Sequence, residues 1–507
     1  FTFKALQSMV YIVFFDRSVF LVKFIDYEFG YADAEKEYTR VPEIFEDAFY
    51  DLHNTVTRLI KDHYFLLIGR KGVGKSAVRA KIQSLAENTT DFFAYPVQLN
   101  DFEFSTFSKT AIDKNITGTK KYKDSWDFIL LLMAFKIIYK KLNVKENEKL
   151  NKTKEFLGKI GFPLETNLRK DVTGLSKLKI GGNIANFDIK FEKEFGTRPV
   201  DFLERISTIN EKMLSVLKNI WFAEGGIVIL IDGLDDILRY KKNQLEILAS
   251  LIRSADYLND YFFSNKTPIK IVLFIREDII NNVTDPDLNK IKRDGAILLN
   301  WHNNLNDLKS VVNLRFKHSG VENDRIEKHW DYLFPRKIKN KNSWFYILDH
   351  TLYKPRDILQ FLKCCQELYP LKQNLTYSEV RNALKTYSRD YFLEEMKNEI
   401  TGFVDDDHIN ALPSVLQKIG ERSFYFSEFR KIMEEQSLNK ILDEHNIKHL
   451  LLLLFEAGYI GQLIPNTRDN RLSVIFKYRN PNSTIDYSQK FITHRGIYNG
   501  LGVRLKQ

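Results

Sequence analysis

Cysteine is almost absent from this chain. The only two, Cys364 and Cys365, are neighbours in a sequence of 507 residues, so no disulfide framework can staple it, and the expectation is a reducing cytoplasm. Proline and glycine are also scarce, at 12 and 23 residues. With Phe and Tyr abundant, that scarcity argues against a turn-rich β-sandwich and for a helix-rich α/β protein. Long apolar runs are missing as well. The stretch VYIVFFDRSVFLVKFI over residues 10–25 is broken by Asp16, Arg17 and Lys23, and no run approaches the roughly 20 residues of a membrane helix. It has no basic leader or small-residue cleavage site, so no signal peptide and no membrane partner are expected. The chain opens on Phe1 rather than Met, and residues 1–25 read as an N-terminal extension.

What is present begins with length: 507 residues exceed one hydrophobic core and imply two or three domains. Lys and Arg outnumber Asp and Glu by 76 to 66. That surplus fits a polyanionic partner such as nucleic acid, or else solvated basic faces.

The most informative stretch is YFLLIGRKGVGKSAVRAKI, Tyr64 to Ile82. Its apolar start reads as a buried parallel strand, Phe65 to Ile68, and GRKGVGKS from Gly69 to Ser76 fits the phosphate-loop pattern. Gly72 and Gly74 allow the backbone to curl its N–H groups inward around phosphates. Lys75 supplies a point charge for the β/γ-phosphates, and Ser76 a hydroxyl for Mg²⁺. The following helix turns its positive end on the same anion. The expected nucleotide contacts are therefore Gly69, Arg70, Lys71, Gly72, Val73, Gly74, Lys75, Ser76 and Ala77.

A second motif, IVILIDGLDD from Ile227 to Asp236, is too short and too β-branched to be anything but a buried strand. Asp232 at its end sits where a carboxylate would hold Mg²⁺ opposite Ser76. Asp235 or Asp236, the latter preferred, would activate the attacking water, unless the two serve only as the N-cap of the helix expected over 237–258. Further strands are expected at Phe93–Leu99, Ile269–Ile275 and Ala296–Leu299, and helices at Pro42 onward, 51–62, Trp126–Leu142 and Pro199–Leu217. Residues 140–177 are a Lys-rich insertion without clear period. Leu178–Lys190, LKIGGNIANFDIK, alternates around Gly181-Gly182 like a hairpin.

The string FGYADAEKEYTR, Phe29 to Arg40, followed by IGRKGVGKSA, resembles a family of prokaryotic P-loop ATPases with an FGYADA signature, related to the STAND and origin-recognition branches of the AAA+ group. The resemblance runs from about Phe29 to the C-terminus. It implies a P-loop α/β core with a helical lid and a C-terminal winged-helix domain, ATP and Mg²⁺ as ligands, and occurrence in antiviral defence. On that basis residues 26–300 form the core with an insertion at 140–195, residues 301–400 the lid and residues 401–507 the winged helix. Tyr38 or Arg40 would cover the adenine, or else pack at the surface. Arg276, capping the strand Ile269–Ile275, would sense the γ-phosphate, as an arginine does in the STAND pattern; its alternative is a salt bridge to Glu277 or Asp278. Arg293, just before the last strand, would be an arginine finger acting on a neighbouring subunit, or else, with Lys292, the basic end of a helix. Arg356, in Lys354-Pro355-Arg356 at the start of a lid helix, would be the second sensor or a partner of Asp357.

Beyond the linker TGFVDDD (Thr401–Asp407), helices at Ile409–Ile419, Phe426–Glu435 and Ile447–Ala457 precede GYIGQLI, the loop PNTRDNR and LSVIFKYR. Three helices and a hairpin make a winged helix. Arg468, Arg471, Lys477 and Arg479 would suit backbone phosphates. The would-be reading helix, NIKHLLLLLFEAG, is too leucine-rich to read bases, which favours a protein–protein or intramolecular module. His494-Arg495 offers no zinc-ligand spacing. Three functions remain open: a regulatory ATPase working through a homo-oligomer or an effector protein, a DNA-binding initiator- or loader-like ATPase, and a non-hydrolysing nucleotide-gated assembly module.

Overall fold

The computed structural model describes residues 22–99, 102–110, 119–141, 147–180, 202–218, 220, 225–234, 242–283, 285, 287–436, 443–465 and 472–501. Its centre is a five-stranded sheet built from β1 (Leu66–Gly69), β2 (Phe92–Gln98), β3 (Gly226–Asp232), β4 (Ile269–Arg276) and β5 (Ala296–Leu298) in the order β2-β3-β4-β1-β5. All four pairings are parallel. This is a parallel α/β core with the glycine-rich loop leaving the end of β1. The inner strands β1, β3 and β4 are apolar on both faces because both are covered. In β3, Val228 and Leu230 face the core shared with the lid, while Ile227, Ile229 and Ile231 face the opposite one.

That opposite core is organised by the helix Lys123–Lys141, buried nearly all round from Ser125 to Phe135. Trp126 within it donates from Nε1 to the carbonyl of Ile247 at 3.0 Å. The helices Phe202–Lys218 and Lys242–Ser264 pack against it. The Lys-rich stretch is more regular than its composition suggests. It forms helices Glu148–Lys159 and Leu168–Ile180, which bury Leu150, Phe156, Leu157, Val172 and Leu175. The expected hairpin start at Leu178 is instead the last turn of the second of these; the rest of that hairpin lies outside the described residues.

The lid follows β5 with helices Leu305–His318, Ile326–Leu333, Ser343–Leu348, Pro355–Leu368 and Tyr377–Tyr387. A two-stranded hairpin, β6 (Lys337–Ile338) and β7 (Lys341–Asn342), turns through Lys339 and Asn340, both at positive φ, as a tight two-residue hairpin requires. Residues from Phe24 to Phe29 do not trail away from the body. Phe24 donates its N–H to Lys372 O at 2.8 Å, and Phe24, Tyr27 and Phe29 are buried in the lid core.

A five-residue π turn (Ser388–Phe392) continues into the helix Leu393–Ile400, and the C-terminal domain comes next. Its helices Asp406–Ile419, Phe426–Gln436 and Glu444–Ala457 combine with β8 (Ser423–Phe424), β9 (Ile460–Pro465), β10 (Leu472–Ile475) and β11 (Lys490–Thr493) in a sheet ordered β10-β9-β11-β8. This is a winged-helix arrangement. His494 pins it from inside: Gly496 N–H donates to its Nδ1 at 3.0 Å, its Nε2 meets Tyr478 Oη at 3.0 Å, and its ring stacks on Phe392. The leucine-rich helix is indeed a core helix, burying Ile447, Leu450, Leu451, Leu454 and Phe455. Among the described residues no helix is long and apolar enough to cross a membrane.

The FGYADAE segment acquires a structural reason. Asp33 caps the helix Ala34–Arg40, accepting from the backbone of Glu35 and Lys36. Gly30 sits at a φ of +69°, and a Cβ there would lie 1.9 Å from the Glu37 carboxylate. Glu37 is buried and ion-paired to Arg315 of the lid at 2.7 Å. It also accepts from Tyr31 N–H at 2.7 Å. Replacing Arg315 by Met strands that carboxylate, so a loss of roughly 3–5 kcal/mol is expected in urea denaturation, partly recovered by adding Glu37→Gln. A single variant within about 1 kcal/mol of wild type would contradict this reading.

Candidate functional site

The register of the sheet gathers the site. Gly69 pairs with Arg276 across β1 and β4, and Gln98 with Asp232 across β2 and β3. The loop after β1, the guanidinium ending β4 and the carboxylate ending β3 therefore lie along one carboxyl edge of the sheet, where ligands of open α/β sheets sit. Gly72 and Gly74 have φ of +82° and +107°, a backbone conformation that side-chained residues rarely adopt. Gly74 is the N-cap of the helix Lys75–Glu87. Lys75 is buried, and its Nζ donates to the carbonyls of Gly69 at 3.0 Å and Arg70 at 3.3 Å. Trp301, just after β5, braces the loop by donating from Nε1 to Val73 O at 2.9 Å.

Asp232 is drawn toward the same helix. One oxygen accepts from Gly233 N–H at 2.8 Å, and the other from Arg79 Nε at 3.1 Å. Arg79 lies three residues, or about one turn, after Ser76, so Ser76 is placed on the side of the helix from which Arg79 reaches Asp232. Arg79 is itself held by an ion pair with Glu35 of the FGYADAE helix. The donor types available, one hydroxyl and one carboxylate beside a loop bent at two glycines, fit a hard cation such as Mg²⁺ shared with phosphate oxygens.

Above the loop lies the start of the lid helix Pro355–Leu368. A Cβ on Gly72 would come within 3.4 Å of Lys354 Cδ and 3.7 Å of Arg356 Cδ. Both lid cations thus rest on the phosphate loop. Two acids of the helix Leu393–Ile400 complete the cluster. Glu399 takes Arg276 Nη2 at 2.8 Å and lies 3.8 Å from Lys354 Nζ. Glu395 lies 3.7 Å from Lys71 and 3.9 Å from Arg356. Arg276 also makes a two-pronged pair with Asp278, at 2.9 and 2.6 Å. Burial pushes the Glu399 carboxyl up, but Arg276, Lys354, Lys71 and Arg70 outweigh it and hold it at about 2. For Lys354 burial wins, helped by Arg70, and its ammonium is pushed down to about 8.

The C-terminal domain also touches the loop. Arg70 donates from Nη2 to the carbonyl of Ala457, the last residue of the leucine-rich helix, and its guanidinium lies 5.5 Å from the Tyr478 ring. Between that helix, the ends of β4 and β5 and the loop is a cavity of about 850 Å³, lined among others by Arg70, Arg276, Glu277, Lys292, His449 and Lys477.

Of the remaining sequence-derived residues, Arg293 is exposed on the last turn of the helix Leu288–Gly295. Asp235, Asp236, Arg468 and Arg471 lie outside the described residues. Tyr38 donates to Glu87 at 2.6 Å near the far end of the phosphate-loop helix, and Arg40 packs over Tyr31. Both make surface contacts of the kind expected as the alternative to an adenine cover. Sequence reasoning missed Glu35, Arg79, Trp301, Glu395 and Glu399. Only the Glu395–Glu399 spacing of four, one face of a helix, offered a signal.

Comparisons with known proteins add the following. Residues 306–394 match the family described as FunZ-associated C-terminal helical domain. The putative transposon gamma-delta 80.3 kDa protein of Escherichia coli K12 is 21% identical over 505 residues, spanning 94% of this chain and 67% of that protein. The Aeropyrum pernix ORC1 protein, solved in complex with DNA, is 12% identical with a TM-score of 0.38, covering 91% of this chain and 92% of its own. Cdc6p from Pyrobaculum aerophilum is 12% identical with a TM-score of 0.29, covering 94% and 98%.

The low value at Glu399 gives a pH signature. Because its carboxyl is held at about 2 against an ordinary 4.5, its contribution is complete above 4.5 and lost as pH falls toward 2. The stability gap between wild type and Glu399→Gln should shrink by about 3 kcal/mol over that interval in urea titrations. A gap independent of pH would contradict the assignment.

Proposed function

We propose that this chain is a Mg²⁺-dependent ATP-binding switch that hydrolyses ATP slowly and reports its nucleotide state through the lid and winged helix. The observation that carries this is the glycine-bent loop with Lys75 folded onto its own carbonyls, and with Arg79, one helical turn on, holding the carboxylate of Asp232. Phosphates would be held by the N–H groups of Gly69–Ala77 and by Lys75, with Arg276, Lys354 and Arg356 meeting the terminal one. Ser76 and Asp232 would hold the Mg²⁺, which when bound neutralises charge developing on the phosphate oxygens. Asp236, or Asp235, would orient or deprotonate the attacking water, a role proposed from its place after β3. Arg293 would act on the nucleotide of a neighbouring copy, which makes homo-oligomers part of the proposal. The output is proposed to be an effector protein, in the antiviral-defence setting that the FGYADA resemblance implies.

The contacts of the C-terminal domain favour an internal output over DNA reading. Lys477 is engaged by Glu456 at 3.3 Å and by Ser483 O at 2.8 Å. Arg479 stacks on Tyr353 and bonds Tyr478 at 3.0 Å. Two of the four wing cations are thus turned onto the chain itself.

Replacing Lys75 by Ala should weaken binding of a fluorescent ATP analogue at least about 30-fold, the loss of a charge-assisted contact of roughly 2 kcal/mol or more. Asp232→Asn should leave nucleotide affinity in EDTA unchanged while removing the gain that Mg²⁺ gives. Wild-type affinity in the Lys75 variant would overturn the reading. ADP formation in multiple-turnover assays separates a slow ATPase from a purely nucleotide-gated module.

A further inference from the structure

The cations positioned for a terminal phosphate are already engaged by acids of the same chain. Glu399 has only 8% of its side chain exposed and contacts both Arg276 and Lys354. Glu395, one turn earlier, pairs with Lys71 of the loop and Arg356 of the lid. A single helix face therefore answers one cation from the sheet edge, two from the lid helix and one from the phosphate loop. A carboxylate offers two anionic oxygens, the same acceptor chemistry as a phosphate edge toward a guanidinium fork. The helix that carries these acids has other neighbours. It packs on Glu444–Ala457 and Asp406–Ile419 of the C-terminal domain, and the first of these receives Arg70 from the loop.

We propose that Glu399, with Glu395 behind it, is an internal anion standing in the place of a nucleotide's terminal phosphate, and that a bound triphosphate takes over Arg276 and Lys354 and releases the helix Leu393–Ile400 from the loop. This rests on the nucleotide-switch reading above and deepens it by naming the residue that the third phosphate displaces. Asp278 holds Arg276 by both prongs, so the guanidinium stays aimed while its second partner changes. A diphosphate lacks the group that competes with Glu399 and leaves the helix in place. The exchange is a two-state event with a differential contact in each state, as a ligand-driven switch requires. Released, the helix no longer ties the sheet edge to the leucine-rich helix, and the Arg70 contact to Ala457 becomes the remaining link.

The test uses the full chain with Mg²⁺ and a non-hydrolysable ATP analogue or ADP. Amide hydrogen exchange across residues 393–400 should rise about tenfold or more with the triphosphate and stay at the apo rate with ADP. In Glu399→Gln the competitor is gone. Triphosphate affinity should rise about tenfold, ADP affinity should stay within about twofold, and exchange in the helix should be fast without nucleotide. Glu399→Asp, shorter but charged, should fall between. If the Gln variant does not fold, the wild-type exchange comparison decides. Triphosphate binding that is sensitive to Lys75→Ala but leaves exchange in 393–400 unchanged overturns this inference alone, as does equal weakening of both nucleotides in Glu399→Gln. Absence of any nucleotide binding overturns it together with the function it rests on.

Discussion

Like charges crowd the carboxyl edge of this sheet, and the rest of the site depends on how they are balanced. Arg70, Lys71, Lys75, Arg276, Lys354 and Arg356 converge on one loop, and a positive cluster of that size, with Lys75 and Lys354 buried and the rest half-buried, is costly to leave uncompensated. Glu399 and Glu395 supply the balance from a helix that belongs to neither the sheet nor the loop. The site is therefore built from three parts of the chain, and its electrostatics bind them together. A ligand with its own negative charge would change that balance, and in the proposed switch this is how phosphate binding is coupled to domain arrangement.

A second chain of contacts runs on the opposite flank. Glu35 on the FGYADAE helix holds Arg79, and Arg79 holds Asp232. The same segment sends Glu37 to Arg315 of the lid. The signature stretch thus links the lid to the carboxylate that would take Mg²⁺. Its glycine is fixed by the space that Glu37 occupies, and its aspartate by the helix it caps. Each residue in the motif has a local physical task, so the motif is legible as a joint rather than as a label.

Much of the core could be read directly from residues. The five strands fall within one or two residues of their expected spans, because strands buried on both faces leave uninterrupted apolar runs such as Ile227–Ile231. The phosphate loop was legible because its glycines and lysine are contiguous. The start of the helix Pro355–Leu368 was also legible, from the proline at its first position. Leu178–Ile180 was misread, because a three-residue alternation looks like a strand while the period set by Val172 and Leu175 carries the helix on to Ile180. The balancing acids were invisible for a different reason. Glu399 meets Arg276 across 123 positions of sequence, and no periodicity records a contact that only the folded topology creates.

The central claim is that the phosphate loop and the C-terminal domain move as partners under nucleotide control. Pulsed electron resonance between spin labels at Lys61 on the core and Glu435 on the winged helix, both exposed, tests it most directly, since the two native thiols are buried. The account predicts one distance distribution shared by the apo and ADP forms and a second, displaced one with a non-hydrolysable triphosphate and Mg²⁺. Identical distributions in all three states, with nucleotide shown to be bound, would contradict it.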